Sequence, residues 1–97
     1  MTQKQLLEKL GAFICCSQLI SKTSGNAVEN QFVLTFKNGV VFQSYQTMIA
    51  AKIDGKLYLS NCHDCSNTTS KYCGQWTGYT AKERRKMIDN GKVEVFE

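Results

Sequence analysis

Apolar side chains in the first twenty residues recur three and four positions apart. On a wheel of about 100° per residue, Leu6, Leu7, Leu10, Phe13, Ile14 and Ile20 fall in one arc that also takes in Ser17. This period predicts an amphipathic helix over residues 4–20. Cys16, on the margin of the arc, is expected in the core, and Cys15 and Leu19 are expected on the solvent side with Lys4 and Glu8. The stretch Ser21-Lys22-Thr23-Ser24-Gly25-Asn26 has no apolar period and carries turn formers, so it reads as a surface loop.

From Gln31 the chain turns to β-branched and aromatic residues. Phe32–Phe36 and Val40–Tyr45 flank Asn38-Gly39, a pair favoured in two-residue hairpins. Met48–Ile53 and Lys56–Ser60 flank Asp54-Gly55 in the same way, which predicts an antiparallel meander of about four strands. Thr68-Thr69-Ser70 can cap a short helix carrying Tyr72, Cys73 and Trp76, stopped by Gly78, with Gly74 as an unfavourable interior residue. Thr80 and Glu83 have the spacing of a capping box, and Asn90-Gly91 closes the helix they open. Lys92–Phe96 alternates like a last strand. The expectation is one α+β domain over residues 1–97, ordered α-β-β-β-β-α-α-β, with helices on one face of a mainly antiparallel sheet of four to five strands.

Composition adds bounds. Ninety-seven residues, 42% hydrophobic and 21% charged, make one compact core and exclude a multidomain enzyme. The net charge of +4 has no basic arm or acidic tail behind it: residues 1–25 carry +2 and residues 61–79 none. Such a balance permits contact with nucleic acid or an acidic protein without demanding either. No run approaches the ~18 apolar residues of a membrane span, and charges interrupt the N-terminal apolar stretch too early for a signal peptide, so the expected location is cytoplasmic, with no membrane partner. An odd count of five cysteines reads as reduced thiols rather than a secreted disulfide framework.

Cys62-His63-Asp64-Cys65, with Cys73 eight residues on, is the most chemical-looking segment. Cys62, Cys65 and Cys73 supply three of the four donors that tetrahedral zinc needs, and no fourth is at hand locally. A thioredoxin-like pair would need a helix beginning at Cys62, and a Cys-His nucleophile pair would need the chain's single His to meet a cysteine beside it in sequence. The expected state is free thiols, no metal, no cofactor and no catalytic set.

Lys82, Arg85 and Lys86 share one face of the C-terminal helix with Asp89, in position for an Arg85–Asp89 pair. Arg84 lies inside the apolar arc, where its stem is expected to pack while its guanidinium reaches outward. These four cations are the candidate contacts to phosphate or to carboxylates. Tyr79, just before the Thr80 cap, is expected to lie on the Arg84 stem. Trp76 reads as a core plug, with stacking on a nucleobase as the alternative. Thr68, Thr69 and Ser70 at a helix start, with Lys71 beside them, could hold an anion or simply cap.

The run Ser66-Asn67-Thr68-Thr69-Ser70-Lys71-Tyr72, arriving after Tyr45 and the strand at residues 56–60, resembles a Ser-x-Thr-Thr-Ser-Lys-aromatic signature of small uncharacterised tailed-bacteriophage proteins. The likeness covers roughly residues 31–92, and His is common in that family where Tyr72 stands here. The resemblance implies an accessory protein acting in the host bacterial cytoplasm. Together with the bare catalytic inventory it leads to an expected function: non-enzymatic binding that modulates or inhibits a host protein or nucleoprotein, an antiviral defence complex among the candidates. The alternatives are a small nucleic-acid-binding module using the C-terminal helix and a zinc-stabilised interaction module. The oligomeric state is left open.

Overall fold

The computed structural model of the protein describes residues 1–97. Its elements run α1 (Gln3–Leu10), β1 (Phe13–Ile20), β2 (Ala27–Phe36), β3 (Gly39–Ser44), β4 (Thr47–Ile53), β5 (Lys56–Ser60), α2 (Asn67–Thr77), α3 (Ala81–Asp89) and β6 (Glu94–Phe96). The fold is α+β. Six strands lie in sequence order in one sheet, antiparallel except for β5 and β6, which pair in parallel. A parallel pair needs a long crossover, and α2 with α3 supplies it.

The sheet is buried on both faces, because cross-strand partners share a face and neighbours along a strand do not. One row runs Leu34, Val41, Ala51, Tyr58, and α1 covers it with Leu6 and Leu10, joined by Phe36, Ile53 and Phe96. The other row runs Val33, Phe42, Ala50, Leu59, and α2 and α3 cover it with Cys73, Trp76, Met87 and Ile88. The helices therefore flank the sheet instead of sharing one face, and there are six strands where the periodicity counts four to five.

The extra strand comes from the expected helix 4–20, which divides at Gly11. Thr2 opens α1 with a capping box to Gln5, and Gly11 ends it at φ 77, ψ −153, a conformation that glycine adopts without the steric cost of a Cβ. Beyond it, Phe13-Ile14-Cys15-Cys16-Ser17-Gln18-Leu19-Ile20 pairs with β2. The inward and outward assignments change accordingly. Leu19 is buried, while Cys16, Phe13, Ile14 and Ile20 are exposed, and only Cys15 is exposed as expected. Phe13 keeps an edge contact with Phe36, 5.5 Å between ring centroids. Leu10→Ala is thus expected to cost about 2–5 kcal/mol and Phe13→Ala only about 0.5 kcal/mol, a contrast that urea denaturation of the two variants reads directly.

Gly39 serves packing and not a mirror-image turn. The hairpin loop is Lys37-Asn38, Gly39 already pairs with Phe36, and a Cβ on it would lie 2.5 Å from the Lys52 carbonyl oxygen. Asp54-Gly55 is the turn the sequence indicates, both residues at positive φ. At the far side of the sheet, backbone bonds from Gln3 N to Glu97 O (2.8 Å) and from Glu97 N to Met1 O (3.1 Å) lay the N-terminal residues along the outer edge of the β6 end. No helix is long and apolar enough to cross a membrane.

Candidate functional site

The hydroxyl run before α2 is used inside the fold. The cap is Ser66, two residues earlier than expected, its Oγ accepting from Thr69 N at 3.1 Å. Thr69 shares a buried 2.9 Å hydrogen bond with Ser44 Oγ, tying α2 to β3, and Ser70 Oγ accepts from Arg84 Nη2 at 2.9 Å. An anion at Thr69 and Ser70 would have to break these bonds. Thr68 and Lys71 remain exposed, with Lys71 Nζ 5.1 Å from the centre of the Tyr72 ring.

Arg84 departs furthest from expectation: its whole side chain is buried, guanidinium included. Nε donates to His63 Nδ1 (2.9 Å), Nη1 to Tyr79 O (2.7 Å), and Nη2 to Ser70 Oγ, Ser70 O (3.3 Å) and His63 O (3.4 Å). One cation thereby joins the β5–α2 loop, α2 and the α2–α3 corner through neutral acceptors. The fork of donors suits this as a lysine ammonium would not. The tie to Tyr79 is to its backbone carbonyl, in place of the expected ring-on-stem contact.

The bond from Arg84 sets the state of His63. Nδ1 accepts, so the ring proton sits on Nε2, 3.9 Å from Asp64 Oδ1. Burial holds the imidazole below its ordinary range; Asp64 opposes this, and the charges of Arg84 and Arg85 reinforce it. A lowered native pKa means that below 6.5 the unfolded chain takes up a proton that the folded one refuses. Stability from this site is complete above 6.5 and is expected to fall as pH drops from there through the lower native value. Urea unfolding at stepped pH should show that slope in the parent and lose it in His63→Gln.

The cysteines are five free thiols, of which Cys62 and Cys65 lie side by side. Cys65 is pushed up chiefly by a side-chain hydrogen bond with Cys62, whereas Cys73 is buried against the sheet and desolvation raises it to about 11. Cys62, Cys65 and Cys73 thus form no common ligand set, and no group of three or more His, Cys, Asp or Glu side chains converges anywhere in the fold. Trp76 is half-buried and stacks on Phe42, 6.1 Å between centroids and 26° between planes, with Lys52 Nζ 4.5 Å from the indole centre. A nucleobase stacking there would have to displace Lys52.

What faces solvent is the outer side of α3. Lys82, Arg85 and Lys86 are exposed, and Arg85 pairs with Asp64 across the corner (2.9 Å) in place of Asp89. Thr80 and Glu83 form the expected capping box. Beside it Tyr79, Glu83, Lys86, Met87, Asn90 and Lys92 line an open cleft of about 410 Å³. An aromatic ring and a thioether share this lining with two ammonium groups and the Glu83 carboxylate, so the cleft can take an apolar side chain with a carboxylate on its lysine side.

A family model described as a family of unknown function, DUF8033, matches residues 5–91. The chain belongs to this family. No curated protein and no solved structure matches it. Within the DUF8033 span lie the Ser66–Tyr72 run, His63 and Arg84. Tyr79, Met87 and Lys92 are absent from the sequence-derived site, because one precedes the helix, one belongs to its apolar arc and one follows its end. Only the corner at Thr80 and the stop at Asn90 bring them together.

Proposed function

We propose that the protein is a non-enzymatic binding protein that docks through the solvent face of α3 and its adjoining cleft onto an acidic patch of a host protein, modulating or inhibiting it. The bacteriophage resemblance of the Ser66–Tyr72 run supplies the setting: an accessory protein in the bacterial cytoplasm. The observation that carries the reading is the cleft, where Tyr79 and Met87 offer the aromatic and apolar anchor that dominates protein contacts and Lys86 and Lys92 offer charges that steer an acidic partner. The use of His63, Ser70, Thr69 and Arg84 in internal bonds supports the same reading, since those side chains are engaged in holding the corner.

Capture from nuclease-treated bacterial lysate should persist for the parent and fall at least ~10-fold for Tyr79→Ala, with the melting transition little changed for this exposed residue. Nuclease-sensitive capture would favour the nucleic-acid reading. So would tight binding to random oligonucleotides that weakens steeply with salt and is lost on charge reversal at Lys82, Arg85 and Lys86, because each neutralised phosphate releases counterions.

A further inference from the structure

The two edges of the sheet are treated differently. The edge at β6 is covered by the N-terminal residues, through the Gln3–Glu97 and Glu97–Met1 backbone bonds. The edge at β1 pairs only with β2 and has no strand on its other side; α2 meets it at its last residue, where Gln75 Nε2 donates to Ile20 O (2.7 Å). An open edge is a template for another strand, and proteins normally blunt it with lysine, proline or an inward charge. β1 uses none of these: Phe-Ile-Cys-Cys-Ser-Gln-Leu-Ile contains no charge and no proline over eight residues. Three large apolar side chains stand in solvent along it, Phe13 at 56%, Ile14 at 62% and Ile20 at 53% exposure.

The distribution of those side chains identifies what covers them. Phe13 and Ile14 are at one end of the strand, Ile20 is at the other, and the middle is Cys15, Cys16, Ser17 and Gln18. Antiparallel pairing of two copies about Ser17 brings the first end of each strand beside the last end of the other, so each Ile14 stands opposite an Ile20, and this happens twice. A twofold contact also sets the side chain on its axis against its own copy, which penalises any charge there. β1 has none, although the chain carries twelve Lys and Arg. A strand from an acidic or basic partner would find no complementary charge on this edge.

We infer that β1 is a self-association edge: two copies pair β1 to β1 in antiparallel fashion and join their six-stranded sheets into one. Because the β6 edge is covered, the association closes at two and does not run on into a fibre. The contact is separate from the α3 cleft and holds whether or not that cleft binds a host protein.

Sedimentation equilibrium of the full chain in reductant tests this. The parent is expected to be a dimer at ~100 µM, and Ser17→Lys, which sets two ammonium groups near the twofold axis, should weaken association at least ~100-fold. Ser17→Glu should do the same, and an equimolar mixture of the two variants should recover a dimer made of one copy of each. Recovery excludes a general loss of folding as the cause. Gln46→Lys, an exposed change in the β3–β4 turn, should leave the dimer intact. A parent monomeric at ~100 µM, a dimer indifferent to Ser17→Lys, a mixture that stays monomeric, or open-ended assembly would each overturn the inference.

Discussion

Arg84→Ala is expected to destabilise the fold by about 3–5 kcal/mol, since it leaves His63 Nδ1 and the carbonyls of Tyr79 and Ser70 without their donor and opens a void where the stem packed. For a domain of this size, whose total stability is on the order of 5–10 kcal/mol, that is a large share. Arg84→Lys should recover only part of the loss, because one ammonium group cannot reach acceptors on three segments. Urea unfolding measures both. An unchanged midpoint in Arg84→Ala would mean that the guanidinium reaches into solvent, as the amphipathic pattern of α3 alone would have it.

Phe42→Ala should cost about 3–5 kcal/mol. Phe42 is fully buried in the row facing α2, between Val33 and Ala50, and stacks on Trp76. Alanine leaves a cavity that sheet backbone held on both sides cannot collapse into. Trp76 is the only tryptophan, so its emission reports the site, and a red shift is expected before global unfolding as water gains access to the indole. If emission and midpoint both match the parent, α2 is not seated on β3 through this pair.

Several features of the molecule are local enough to be read along the chain. The Asp54-Gly55 turn, the extended runs of β3 to β5, the Thr80–Glu83 capping box and the Gly78 stop all depend on residues within a few positions of one another, and all are present. The Thr2–Gln5 capping box was legible in the same way, and with Gly11 it marks a helix of eight residues. The longer helix fails because Phe13 and Ile14 fall on the same arc as Leu6 and Leu10, and two apolar residues cannot by themselves distinguish a continuing helix from the start of a strand. Pairing with β2 across the Ser21–Asn26 turn decides it.

The candidate site divides along the same line. The exposure of Lys82, Arg85 and Lys86 follows from helical period alone, and so does the placing of Arg84 on the inner face. Whether an inward arginine snorkels or stays buried depends on acceptors supplied from elsewhere, here His63 twenty-one residues away and Ser70 fourteen away. Composition and local pattern therefore determined the α+β class, the Asp54-Gly55 turn, the Thr80 cap and a basic helix face, since these are energies of neighbouring residues. The tertiary structure alone decided that helices flank the sheet on both sides, that the hydroxyl run and Arg84 are internal ties, and that one edge is covered while β1 is open. Those outcomes depend on which distant backbone groups and apolar rows meet, and no short-range pattern carries that information.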